Sequence, residues 1–490
     1  MLRSLLRALR GRGDARCAPD RTAGSTPGPT QGPAPDRTAG PTPGPTQGPA
    51  AAPTAASTGA PTPAQDGAPG SGPISAEELA RAVEAHLMDQ IVPAWFPRCV
   101  DRETGGFRQD FHRDWRSGTD GPRTLVFQAR ATWAAAALAR AYPSLSGEFG
   151  GYALHGAAFL EARLWDRVHG GFHWDETGEG EKHAYGMAFG IMAAAAVHQA
   201  TGEEEALNTA IEAFEWLDRH AHDEVSGGYR EALGPDGGSP PAEGGPLDRI
   251  GNPRGRKSSD THLHLLEAFL ELRKVWPDPV LETRLRELLH LVRTRLIREP
   301  GFLPGSFSRD WTPRDDIASF GHDLEMAFLL LQCEAVGLGT PPEAGGETAR
   351  ALAMHALENG LDGRNGGFFL AGRMGAPAHR RQKVWWVQAE SLNALAALHR
   401  RFGWEDPVFL VSALRTWDFI LRCQADFRHG EWYAVVHEEG TVPLDDRKGY
   451  EWKAPYHTVR SLLGAVASLR EVAEAPGKGQ DPGPSPGRES

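Results

Sequence analysis

Cysteine is scarce in this chain: four residues, Cys17, Cys99, Cys333 and Cys423, none of them in a CxxC pair. That spacing offers neither a disulfide framework nor a thiolate zinc site, and it suits a reducing, cytoplasmic compartment. Long apolar runs are missing too. The longest, Tyr185 to Val197, falls short of the ~18 residues a bilayer crossing needs, which excludes a membrane-spanning protein. Positive charge is in deficit, with Lys+Arg 52 against Asp+Glu 64 and a net charge of −12. Residues 1–73 hold seven arginines and four aspartates, so the remainder carries −15 and is a poor binder of phosphate backbones. No nucleic-acid partner is expected. There is no GxxxxGK[ST] loop, no GxGxxG after a strand and no HExxH, so nucleotide hydrolysis, dinucleotide redox chemistry and zincin proteolysis have no support.

What is abundant at the ends is Gly, Pro, Thr and Ala. Residues 18–33 (APDRTAGSTPGPTQGP) recur as 34–49 with a single change, Ser25 against Pro41. Such a composition buries too little surface to offset chain entropy, so 1–73 and 476–490 read as disordered flanks of one catalytic domain spanning 74–475. The basic leucine-rich start, MLRSLLRALRGRGDAR, is either a short amphipathic targeting helix or an incidental leader.

The body opens with Ser75-Ala-Glu-Glu78, a capping box. Beyond it a Gly-Gly-aromatic signal returns at Gly105, Gly170 and Gly227, in weaker form at Gly301, again at Gly366, and as Gly430-Glu-Trp432. The intervals are 65, 57, 74, 65 and 64 residues, the mark of one supersecondary unit repeated six times. Each interval holds two stretches of helical periodicity, such as Leu125 to Ala141 with Leu154 to Leu164, and Tyr185 to Thr201 with Glu203 to His220. Six helix pairs stack as an open solenoid or close into a ring. The apolar character of the first helix in each pair, and the lack of a polar capping repeat, favour an all-α (α/α)6 toroid with short β-hairpin loops at one end. The long interval comes from a polar loop, Ala232 to Arg256, expected to overhang the rim.

Polar and aromatic residues interrupt the inner helices near their starts, and so face one mouth of the ring. They are Arg130; His183 and Tyr185; Asp260, His262 and His264; His322 and Glu325; Trp386 and Glu390; Trp452 and His457. Asp260 and His264 share a helix face, as do His322 and Glu325, and Trp386 and Glu390. His262 and His264 diverge by about 200° and cannot both look inward. Any one of these residues has a structural explanation as a cap, an ion-pair partner or core packing. Their repetition at one level of successive helices does not. Tryptophans stack on sugar rings while carboxylates and arginine bind hydroxyls, so the cavity suits a neutral polyhydroxylated ligand. Two histidines can serve as base and acid in one cycle, which fits proton removal next to a carbonyl and no cofactor.

The segments RTLVFQARATW, KHAYGMAF, KSSDTHLHLLEAF, FGHDLEMAFLL, WWVQAES and WKAPYHTVR, in that order, resemble the N-acylglucosamine 2-epimerase superfamily, most of all its cellobiose 2-epimerase and mannose 2-epimerase/isomerase branches. The resemblance spans 75–475 and implies the (α/α)6 fold. It implies His322 and His457 as the acid/base pair acting at C2 of an open-chain aldose through an enediolate. It implies His264 in ring opening, and Arg130 on the O1/O2 oxygens. His183, Tyr185, Asp260, Glu325, Trp386, Glu390 and Trp452 complete the pocket, and His262 is left as structural. No metal is implied.

Two departures stand out. Asp260 replaces the Asn usual in cellobiose epimerases, which puts disaccharide specificity in question. Met187 stands where the family's mannose isomerases carry histidine, which weakens an aldose–ketose isomerase reading. Epimerisation at C2 of a mono- or disaccharide therefore comes first and isomerisation second. The rivals are an (α/α)6 glycoside hydrolase recruiting Asp260, Glu325 and Glu390, a zinc site of His264, His322 and His457, and a sugar-binding protein without chemistry. A monomer or homodimer is expected.

Overall fold

The computed structural model describes residues 74–118, 121–238, 247–338, 343–403 and 405–474. The flanks expected at 1–73 and 476–490, and the leader helix, lie outside the described residues. Among the described residues, twelve helices of eleven residues or more form the framework. They alternate between outer and inner positions: α1 (Ala76–His86), α2 (Leu125–Ala141), α3 (Ser146–Phe159), α4 (Ala184–Thr201), α5 (Glu204–Ala221), α6 (Ser259–Arg273), α7 (Pro279–Leu291), α8 (Phe320–Ala335), α9 (Glu343–Gly360), α10 (Trp385–Phe402), α11 (Val408–Phe419) and α12 (Tyr456–Glu474).

The predicted capping box starts α1: Glu78 N donates to Ser75 Oγ at 3.2 Å, and Ser75 N to Glu78 Oε2 at 2.9 Å. Inner helices are buried on nearly all sides and are mostly apolar. Every residue of α4 from Ala184 to Val197 is buried. Outer helices are amphipathic, and α5 buries Ala206, Ala210, Ala213, Phe214, Leu217 and Ala221 at three- and four-residue spacing. Helix α3 begins earlier than its periodicity predicts. Its glycines look like breakers, yet Gly156 permits close packing on α2, where a Cβ would lie 2.1 Å from Thr132 Oγ1.

Each inner helix packs on the next, and α12 packs on both α2 and α1, so the circle closes. The six Gly-aromatic turns are tight antiparallel bridges, Val100 to Phe107, Trp165 to Phe172, His222 to Tyr229, Arg298 to Phe302, Leu361 to Phe368 and Ala425 to Trp432. They lie between an outer helix and the following inner one, so all six mark one end of the ring. Short strands at that end also tie neighbouring units together. Strand β2 (Lys182–His183) pairs with β3 (Ala232–Leu233), β4 (Lys257–Ser258) with β5 (Ser306–Phe307), and β6 (Ile317–Ser319) with β7 (Ala371–Arg373), itself paired with β8 (Ala378–Arg380). Strand β9 (Lys383–Val384) pairs with β10 (Val435–Val436). The last pair joins β11 (Arg447–Gly449) to β1 (Phe111–His112) and links the end of the chain to its start.

Two devices hold the turns. The fourth residue of an inner helix accepts a hydrogen bond from the turn's backbone. Gln128 takes Phe107 N at 2.7 Å, Met187 Sδ takes Phe172 N at 3.3 Å, and His262 Nε2 takes Tyr229 N at 3.0 Å. Asp323 takes Leu303 N, and Gln388 takes Phe368 N, both at 2.8 Å. An aspartate opening the turn also meets a buried lysine: Asp166 with Lys182 at 2.7 Å, Asp223 with Lys257 at 3.1 Å, Asp362 with Lys383 at 2.7 Å, and Asp426 with Lys448 at 2.9 Å. Those lysines are almost fully buried, a setting lysine tolerates only when paired.

Candidate active site

The turns fix where the inner helices begin, and the first turns of those helices surround one cavity mouth. Six of the expected residues lie near the starts of four helices: Arg130 on α2, Tyr185 on α4, Asp260 and His264 on α6, and His322 with Glu325 on α8. Trp386 and Glu390 on α10 and His457 on α12 complete the group. Trp452 lies just ahead of α12, between it and β11.

His322 and His457 come from helices separated by α10, and α10 supplies the group between them. The Trp386 indole lies 4.8 Å from the His322 ring and 5.8 Å from the His457 ring, centroid to centroid. Each imidazole has a carboxylate near it. His457 Nδ1 is 2.8 Å from Glu390 Oε1, which leaves Nε2 to face a ligand. His322 Nε2 is 3.5 Å from Asp260 Oδ1, and the same oxygen is 3.5 Å from His264 Nε2. His264 Nδ1 is 3.1 Å from Glu267 Oε2. Exposure separates the pair, because the His322 side chain is 24% accessible and that of His457 only 6%. Burial, with Arg130 and His264 nearby, pushes the His457 imidazole well below its usual range, so it is neutral at pH 7 and able to accept a proton. Burial lowers His264 in the same way.

Beneath these side chains lies a charged layer that the sequence reasoning missed. Arg460, one helical turn beyond His457, pairs through Nε with Glu267 Oε1 at 2.6 Å and donates from Nη1 to Glu390, with Glu325 Oε1 3.3 Å away. Tyr456 OH donates to Glu267 Oε2 at 2.6 Å. Burial alone would raise Glu267, but Arg460 and His264 outweigh it and hold the carboxyl at about 2. Burial lifts Glu390, and lifts Glu325 well above the ordinary carboxylate range. The signal was available: Glu267 and Arg460 stand three residues beyond His264 and His457, on the same helix faces.

Arg130 is positioned by two acceptors. Nη1 donates to the Trp452 carbonyl and Nη2 to Tyr185 OH, both at 2.8 Å, and the guanidinium lies 4.4 Å over the Phe189 ring. Trp452 and Trp174 stand 6.2 Å apart beside Tyr185, forming an aromatic wall.

One expectation needs correction. His183 does not offer a free ring nitrogen to a ligand, because Nδ1 caps α4 by accepting Tyr185 N at 3.2 Å and Nε2 is 3.2 Å from Asp248 Oδ2. Its side chain is inaccessible, and it anchors the loop after β3. The described part of that loop does lie at the mouth, also tied by Arg254 to Glu181 at 2.7 Å. Met187 packs against the Gly170–Gly171 turn, where its Sδ accepts Phe172 N, so in this chain it serves the turn. His262 is structural as expected, bonded to Tyr229 N and 2.9 Å from Ser258 O.

Three groups of side chains have the mutual proximity that a metal ion needs: His183, Glu231 and Asp248; His264, Glu267 and Glu325; Glu325, Glu390 and His457. In the first, Glu231 is occupied in accepting from Ser258 and Thr261. In the other two, the Arg460 guanidinium already supplies the positive charge a cation would bring. The three histidines expected as a rival zinc site, His264, His322 and His457, do not form such a group among the described residues. Among the described residues, no helix is long and apolar enough to cross a membrane.

Comparison with known proteins agrees with this geometry. The family model described as N-acylglucosamine 2-epimerase (GlcNAc 2-epimerase) matches residues 105–461. The chain is 30% identical over 398 residues to a cellobiose 2-epimerase of Bacteroides fragilis, covering 79% of this chain and 98% of that protein. It is 27% identical over 415 residues to a D-mannose isomerase of Thermobifida fusca, covering 76% and 94%. The solved cellobiose 2-epimerase of Spirochaeta thermophila superposes with a TM-score of 0.72 at 31% identity, covering 81% of this chain and 98% of that one. A sixfold helical ring, with histidines, carboxylates and tryptophans meeting at its turn-bearing end, thus accompanies similarity along nearly the whole body: the chain belongs to the N-acylglucosamine 2-epimerase family.

Proposed function

We propose that the protein is a cofactor-independent carbohydrate 2-epimerase acting on the reducing-end hexose of a mono- or disaccharide. The observation that carries this reading is the pair of imidazoles, His322 and His457, set against one indole and each near a carboxylate. Trp386 offers an apolar face for a sugar ring, and the histidines flank it. With Nδ1 directed at Glu390, His457 presents an unprotonated Nε2 to the C2–H of the open-chain aldose. The C2–H electron pair moves toward C1, the carbonyl oxygen becomes the enediolate oxygen, and Arg130 is the nearby fixed positive charge for it. His322, more accessible to water, returns a proton to the opposite face of C2. In the reverse direction the two exchange roles. His264 assists ring opening, with Asp260 between it and His322. Tyr185, Glu325, Trp386, Glu390 and Trp452 shape the pocket. Residues 74–475 form the catalytic unit, and it works in the cytoplasm as a monomer or homodimer.

The same enediolate protonated at C1 gives the ketose, and similarity to a D-mannose isomerase is what favours that second outcome. Incubation with glucose, mannose, cellobiose and N-acetylglucosamine in D2O, followed by NMR, separates the two. Epimerisation places deuterium at C2 of an aldose, whereas isomerisation yields ketose. His322→Ala and His457→Ala should each lower turnover by about 10²–10⁴-fold. Unchanged turnover in both variants would remove the assignment.

A further inference from the structure

Three carboxyl groups share one guanidinium under the site, and they are not equally served. Glu267 accepts from Tyr456 OH, meets the His264 ring and is ion-paired with Arg460 Nε. Glu390 receives Arg460 Nη1 and the His457 ring. Glu325 is fully buried, and neither of its oxygens has a hydrogen bond; the Arg460 Nη1 at 3.3 Å lacks the geometry of one. A layer this buried does not hold three carboxylates against one cation. When like charges crowd a site, one of them takes up a proton. The group that keeps it is the one without donors, since every donated hydrogen bond favours the ionised form of the other two.

We propose that Glu325 rests as a neutral carboxylic acid and acts as the proton store for the two buried histidines, His264 and His457. Oxygens of Glu325 lie within 4.8 Å of a ring nitrogen of each. The direction of its titration agrees, burial being the first cause and Glu390 the second. The remaining charged neighbours are Arg460, Glu267 and Asp260, of which only Arg460 favours ionisation. A carboxylic acid gives a proton from one oxygen and takes one on the other. Loss of the Glu325 proton to a neutral imidazole leaves a carboxylate beside Arg460. An imidazolium that has taken a proton from carbon restores the acid, so no proton is gained or lost. His322 trades protons with water at the mouth. His457, nearly sealed, needs a partner inside.

The store role rests on the epimerase reading, whereas the neutral acid does not. Infrared difference spectra of the intact protein against Glu325→Gln test the acid without any sugar. A protonated-carboxyl C=O band that shifts in D2O and vanishes in the variant is expected, and its absence overturns the proposal. The amide is neutral and of the same size, so Glu325→Gln should fold and bind as before. With KM unchanged, kcat should fall about tenfold or more, because the amide cannot pass a proton. An unchanged kcat overturns the store. A band present in a protein that puts no deuterium into any sugar would retire the epimerase reading and the store together, and leave the neutral acid standing.

Discussion

Replacing Arg460 by methionine tests whether the charged layer under the site is held by a single cation. The guanidinium is almost wholly buried and contacts Glu267, Glu390 and Glu325. Methionine keeps much of the volume and removes the charge. Breaking a buried ion pair from one side costs about 3–5 kcal/mol, because the partner is left uncompensated. With unfolding entropy of about 2.1 cal/mol/K per residue and roughly 400 ordered residues, that corresponds to a Tm lower by about 4–6 °C. The loss should depend on pH in a particular sense. In the native protein Glu267 is held at about 2 and binds no proton near neutrality. Without Arg460 it and Glu390 are buried with no cation, so the folded variant binds protons that the unfolded chain releases. Stability then falls as pH rises above about 4.5, by up to 1.4 kcal/mol per unit for each such carboxyl. Thermal and urea melts at pH 5 and pH 8 measure both effects. The reasoning fails if Arg460→Met melts within about 1 °C of the parent at pH 8, or if its deficit does not widen between the two pH values.

Other outcomes follow from the turns. His262→Gln should retain the bond to Tyr229, since Gln128 and Gln388 do the same work in α2 and α10. Burial pushes His262 down to about 3, so the unfolded chain binds a proton between pH 6.5 and 3 that the folded one refuses, and stability falls as pH drops through that window. Urea melts from pH 7 to pH 4 should show a shallower acid slope in the variant; an identical slope would exclude His262 as a source. Lys182→Met should lose about 3 kcal/mol or more in the same assay by stranding Asp166, whereas a neutral result would mean the pair adds nothing. Gly171→Ala should cost more than about 1 kcal/mol, because φ is +71° and the new Cβ would lie 2.7 Å from both Met187 and Trp216; a wild-type Tm would contradict that.

The ring was legible because its punctuation is chemical: only glycine enters the sharp turns cheaply, so Gly170–Gly171 and Gly366–Gly367 mark the period whatever surrounds them. The level of the site was legible for the same reason, since the turns fix the start of each inner helix. The support beneath it was not. Spacing alone puts Glu267 and Arg460 on the helix faces of His264 and His457, and only the three-dimensional ring turns those faces toward each other. The fourth-residue contacts were hidden by their variety, as Gln, Met, His and Asp share a place and an acceptor atom but no motif. Nothing in the sequence marks Lys182, Lys257 and Lys383 as buried, since lysine rarely is. His183 was misplaced because a capping side chain and a ligand-binding one look alike in one dimension.

The pairing of β11 with β1, with α12 packed on α1 and α2, makes the starting point of the polypeptide arbitrary in space. A circular permutant that joins Glu474 to Ile74 through a short linker, and is opened at the exposed Gly202–Glu203 link, would contain the same neighbours in the same order around the circle. Termini relocated in this way would leave the histidine-bearing mouth untouched, since the new break falls where α4 ends and not where it begins.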